Sequence, residues 1–129
     1  MSEPLKFPFA ELIGLNLVRR GDGESECELD ISEKHMNPHG IAHGGAVFSL
    51  VDTGMGNAVT TLLDDGEMPS TIEIKINYLR PAVEGKVICQ TRVVSRGRRT
   101  AVIESRVVDQ QGKDVCLALG TFMILSKQN

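Results

Sequence analysis

The chain has 129 residues, a net charge of −3, 41% apolar and 24% charged side chains. A domain of that size buries roughly two-thirds of its unfolded surface, and this composition excludes a mainly disordered chain. Mild acidity excludes a general electrostatic attraction to nucleic acid or anionic membrane, and an aromatic content of 4% without Trp leaves little for base stacking.

The expectation is a single domain over residues 1–129, with 1–14 as a lead-in that makes a helical turn around Phe9. Residues 1–10 hold two prolines, Glu3 and no long apolar core, unlike a signal peptide. No apolar run approaches the ~18 residues of a membrane span. Cys27, Cys89 and Cys116 are odd in number, far apart and set among apolar neighbours, as expected of reduced structural thiols in a cytoplasmic protein.

Residues 15–20 and 25–31 read as two short strands joined by the turn Gly21-Asp22-Gly23. Pro38 and Gly40 keep 32–43 irregular. From Gly44 to about Leu63 proline is absent, and Val47, Leu50, Val51, Met55, Ala58, Val59 and Leu62 follow the spacing of one helical face. Gly54 and Gly56 interrupt this long helix at about 1 kcal/mol each, which close packing against another backbone would explain. After a loop over 64–69 the period becomes two. Ile72, Ile74, Ile76 and Tyr78 alternate with polar residues, as in a strand with one buried face, and Pro81 ends it. Strands over 86–95, 100–109 and 115–125 follow, joined by short turns that favour antiparallel pairing. The predicted class is α+β, with one long helix covered by a curved antiparallel sheet of about six strands.

The densest chemistry lies at the helix start. Gly44 and Gly45 either permit a tight loop-to-helix turn or open the unpaired first N–H groups of the helix to a developing oxyanion. Asp52 lies at the edge of the apolar stripe. It is either a general base, whose partial burial disfavours ionisation, or a carboxylate hydrogen-bonded to neighbouring loops. Eight residues separate Gly44 from Asp52, about 12 Å of helix. One small reacting group cannot touch both, so joint action requires a second chain.

His35, His39 and His43 fall four residues apart, but Pro38 and Gly40 break the helix that would make them a metal face. No metal or other cofactor is expected, and His43 reads as a positioning residue. Arg92, Arg96, Arg98, Arg99 and Arg106 gather around one hairpin, suited either to phosphate recognition or to a solvated tip. Interleaved aromatics, phosphate-binding glycine fingerprints and a Gly-x-Ser-x-Gly elbow are all absent, and Ser49 has no base beside it in sequence.

The pattern Asn37-x-x-Gly40-x-x-His43-Gly44-Gly45, then Asp52, with Asn77-Tyr78-Leu79-Arg80-Pro81-Ala82 closing the next strand, resembles the hotdog-fold acyl-CoA thioesterases. Within them it is similar to the phenylacetyl-CoA thioesterase and acyl-CoA thioesterase 13 subfamily. The resemblance spans nearly the whole chain, from about Leu15 to Leu125. It implies a hotdog fold and hydrolysis of an acyl-CoA or aryl-CoA, with CoA entering as part of the substrate. Asp52 would be base or nucleophile, Gly44 the oxyanion donor with Gly45 adjacent, and Asn37 and His43 would orient the thioester or water. Thr71 would hold the attacking water, with Ser70 as alternative, and Tyr78 would line the substrate site. The hairpin Arg96, Gly97, Arg98, Arg99 and Thr100 would bind the nucleotide end of CoA. The implied assembly is a homodimer with shared sites, joined into a homotetramer. A non-catalytic acyl-CoA-binding protein would lack the helix carboxylate, and a hotdog hydratase or dehydratase would show a different acid–base arrangement.

Overall fold

The computed structural model describes residues 7–126. Helix α1 (Pro8–Ile13) begins on proline and ends on Gly14, whose φ of 77° supplies the left-handed cap. Strands β1 (Leu15–Gly21) and β2 (Glu24–Ile31) form a hairpin. Its turn places Asp22 at φ 51° and Gly23 at φ 79°, the geometry that Asp-Gly favours between twisted strands. Residues 33–35, within the stretch expected to be irregular, make one 3₁₀ turn.

Helix α2 (Gly44–Thr60) ends three residues before the expected limit at Leu63. The Thr60 and Thr61 hydroxyls donate back to the Gly56 and Ala58 carbonyls, and the Leu62 and Leu63 N–H groups reach only three residues back. Strands β3 (Glu67–Tyr78), β4 (Gly85–Arg96), β5 (Thr100–Val108) and β6 (Asp114–Ser126) follow. The six strands form one antiparallel sheet in the order β1-β2-β4-β5-β6-β3. Val47, Leu50, Val51, Met55 and Val59 of α2 are buried against Leu29, Val87, Ile103, Val107 and Phe122 of the sheet. At Gly54 the helix meets side chains of the sheet, not the second backbone expected there. A Cβ there would lie 2.9 Å from Thr91 Oγ1 and 3.3 Å from Cys89 Sγ. Gly56 does not share this reason, since its Cβ would meet only Phe122 at an ordinary 3.7 Å.

Strand β3 departs from its sequence pattern in two ways. It starts at Glu67, so it takes in Pro69, which was expected in the loop. Proline is tolerated because β3 is an edge strand, where its missing N–H costs no ladder bond. The second departure is a bulge at Ile72, which slips the register between Thr71 and Glu73. Ile74 and Ile76 stay on the helix side, but Ile72 is 50% exposed rather than part of the buried face. Thr71 now stands opposite buried Phe122, on the helix side, while Ser70 stands opposite exposed Met123, on the outer face.

Candidate active site

Specific local contacts hold His43, Asp52 and Tyr78 around α2. At the helix start His43 is the N-cap, and its Nδ1 accepts from the Gly45 N–H at 2.7 Å. An accepting Nδ1 places the ring proton of neutral His43 on Nε2. The His43 N–H donates to the His35 carbonyl at 2.7 Å. His35 is buried. Its Nδ1 accepts from the Ser32 N–H, and its Nε2 contacts the Ile13 carbonyl at 2.6 Å. His39 is exposed in the intervening turn, so the three histidines serve different places. Asn37 Oδ1 accepts from the His39 N–H at 2.8 Å and closes that turn.

Gly45 has its N–H engaged by His43, whereas the Gly44 N–H has no acceptor among the described residues. Gly44 opens onto a cleft of about 390 Å³ lined by Asn37, Ile41, Val47, Tyr78, Arg80 and Val115. The wall is mostly apolar, with an unpaired N–H and the helix dipole at its base, which suits a polarised carbonyl oxygen. A larger groove of about 600 Å³ lies on the outer face of the sheet, away from the helix start. Charges that partly pair with one another line it, Arg92 with Glu104 among them.

Asp52, half-buried two turns along the same helix, accepts from Thr71 Oγ1 at 2.7 Å through Oδ1. The bulge at Ile72 makes this contact possible by turning Thr71 to the helix side. No residue pattern announced it, because the alternation of Ile72, Ile74 and Ile76 runs through the bulge as if the strand were regular. The Tyr78 hydroxyl donates to the Gly44 carbonyl at 2.6 Å, a link that spacing did not reveal either. Strand β3 therefore runs antiparallel to α2 and touches it at both candidate positions, Thr71 at Asp52 and Tyr78 at Gly44.

The hairpin arginines divide into two kinds. Arg96 is tied down: it pairs with Glu67 Oε1 at 2.9 Å and donates to the Gly97 carbonyl. Glu67 Oε1 also accepts from the Asp64 N–H, so this cluster joins the hairpin to the start of β3. Arg98 and Arg99 are exposed, without an ion pair among the described residues. Thr100 stands in register with Met123, itself opposite Ser70, so the hairpin lies at the Asp52 end of the sheet.

The three thiols are buried and free. Burial, with the neighbouring Cys89, pushes Cys27 and Cys116 up to about 12. They are packing groups, not nucleophiles.

No helix among the described residues is long and apolar enough to cross a membrane. The sequence matches the thioesterase superfamily over residues 39–116, the stretch from the loop before α2 to the start of β6. A relative from Saccharolobus solfataricus is 36% identical over 117 residues, covering 91% of this chain and 77% of its own. An acyl-coenzyme A thioesterase of Escherichia coli is 29% identical over 112 residues, covering 86% of this chain and 71% of its own. A conserved protein of Pseudomonas aeruginosa has a solved structure that superposes with a TM-score of 0.88 at 40% identity, over 93% of this chain and 95% of that one. The fold, the helix-start cleft and these similarities agree that the chain belongs to the thioesterase superfamily and is a hotdog-fold hydrolase.

Proposed function

We propose that this enzyme hydrolyses acyl-CoA thioesters in an active site shared by two copies of the chain. One observation carries the reading. The open Gly44 N–H and the Asp52–Thr71 pair lie on one helix, eight residues or about 12 Å apart, and both ends are pinned to the same edge strand. The free edge of β3 spans 12 residues, whereas the opposite edge, β1, is 7 residues long, bulged and lined by Arg19 and Arg20. A long open edge is the one that pairs with another chain. Antiparallel pairing of β3 with its counterpart, centred between Thr71 and Tyr78, lays the Asp52 end of one copy beside the Gly44 end of the other. The exposed outer row Leu117, Leu119 and Met123 of β6 supports a further stacking of two such dimers into a tetramer.

In the reaction the thioester oxygen accepts from the Gly44 N–H, and Asp52 of the partner subunit takes a proton from water. The hydroxide oxygen adds to the carbonyl carbon, and the charge on the former carbonyl oxygen is held at the helix start. The C–S bond then breaks, and the CoA sulfur leaves with the proton that Asp52 took up. The Thr71 hydroxyl holds Oδ1, which leaves Oδ2 for the water, and general-base action is preferred to direct attack with a mixed anhydride because it needs fewer steps. Asn37 and His43 orient the thioester or the water, and the Gly45 N–H holds His43 through Nδ1. Arg98 and Arg99, with Thr100 and the Arg96–Gly97 corner, receive the phosphates of CoA.

The test is free-thiol release from aryl, short-chain and medium-chain acyl-CoA, with Asp52→Asn beside the wild type. The wild type releases thiol from at least one class, and the variant loses at least ~100-fold in kcat. Tight acyl-CoA binding without turnover would make the chain a binding protein instead.

A further inference from the structure

We propose that Tyr78 is a positioning residue that acts on His43 through the Gly44–Gly45 peptide. The Tyr78 hydroxyl donates to the Gly44 carbonyl at 2.6 Å. The N–H of that same peptide unit belongs to Gly45 and donates to His43 Nδ1 at 2.7 Å. Hydroxyl, peptide and imidazole thus form one directed chain, in which each bond polarises the next. The chain starts on the edge strand and ends at the exposed Nε2–H of His43.

Both glycines fit this arrangement. A Cβ on Gly44 would lie 3.2 Å from the Tyr78 hydroxyl oxygen, and one on Gly45 would lie 2.9 Å from His43 Nδ1. Side chains there would push apart the two groups that hold the peptide. Burial raises the Tyr78 phenol above its ordinary value, with Cys116 adding to the effect, so the hydroxyl remains a donor at neutral pH. Tyr78 is nonetheless 48% exposed at the cleft, which argues against a core role.

The proposal rests on the hydrolytic reading for its kinetic consequence, though not for its structural one. Tyr78→Phe keeps the ring and removes the donor. It should lower kcat about three- to tenfold, the size of one ordinary hydrogen bond, with KM unchanged within about twofold. In a His43→Gln background the same change should cost almost nothing, because the chain already lacks its end. The ¹⁵N resonance of His43 Nδ1, assigned by comparison with His43→Gln, should move towards that of an unbonded ring nitrogen in Tyr78→Phe. Tyr78 is the one tyrosine of the sequence, so biosynthetic 3-fluorotyrosine alters that hydroxyl alone. Its more acidic phenol should keep at least the wild-type kcat. An unmoved His43 resonance, additive losses in the double variant, a rise in KM alone, or a fluorotyrosine loss as large as that of Phe would each overturn the proposal. If the wild type hydrolyses no acyl-CoA, the hydrolytic reading fails by itself, while the ¹⁵N experiment still decides whether Tyr78 holds His43.

Discussion

Replacing Thr71 with Val removes one hydroxyl and little else. The shape is kept, and the 2.7 Å bond to Asp52 Oδ1 is lost. A hydrogen bond to a charged group contributes about 1.5–3 kcal/mol. Thr71 is exposed and Asp52 half-buried, so the lower end applies, about 1.5 kcal/mol or roughly tenfold in rate. The expected result in steady-state thiol release is kcat down about tenfold, KM within about twofold and little change in Tm. Thr71→Ser keeps the donor and should stay within about threefold of wild type. Ser70→Ala, altered on the outer face, should match wild type. In an Asp52→Asn background Thr71→Val should add almost no further loss, because the two act as a unit. Full activity in Thr71→Val would refute the claim that this hydroxyl holds the carboxylate. A Ser variant as poor as Val would assign the effect to the methyl group.

The proposed sharing of the site between two copies predicts complementation. Chains carrying Asp52→Asn, mixed with chains carrying Gly44→Pro, should regain activity in heterodimers verified by mass, and inactive heterodimers would end the shared-site reading. Replacing both Arg98 and Arg99 with Ala should raise KM for acyl-CoA more than it lowers kcat, and should spare a short thioester without the nucleotide. Equal losses on both substrates would mean that the arginines support the fold. The cysteines should stay silent to a thiol reagent at pH 8 in the folded protein and react on unfolding. Because the folded thiols of Cys27 and Cys116 lie near 12, above their ordinary value of 9.0, the native state binds more protons from about pH 9 to 12. Chemical denaturation should therefore show the thiol contribution to stability intact below pH 9 and falling as pH rises through that window. Gly56→Ala should raise Tm by about 3 °C, as a helical glycine replaced where a methyl fits, whereas Gly54→Ala should lower it through the contact with Thr91. A lowered Tm for Gly56→Ala would show that a second backbone packs there.

The order of elements, the long helix and the antiparallel character of the sheet were legible in the sequence because they rest on local rules. Apolar period, proline and glycine breaks and Asp-Gly turn chemistry act over a few residues. The candidate residues Gly44, His43 and Asp52 stood out too, as unusual residue types in a conspicuous order at the start of one helix and along it. The edge of β3 and its bulge were not legible, since strand order and register depend on partners distant in the chain, and alternating isoleucines look the same in a regular strand and a bulged one. That register alone turns Thr71 towards Asp52 and Ser70 away. It is also why Tyr78 meets the Gly44 carbonyl, 34 positions away in sequence. Arg96 makes the same point: nothing in its neighbourhood of arginines distinguished it, and only the approach of β3 brought Glu67 to it. Residue identity decided which groups could do chemistry, and long-range strand pairing decided which of them meet.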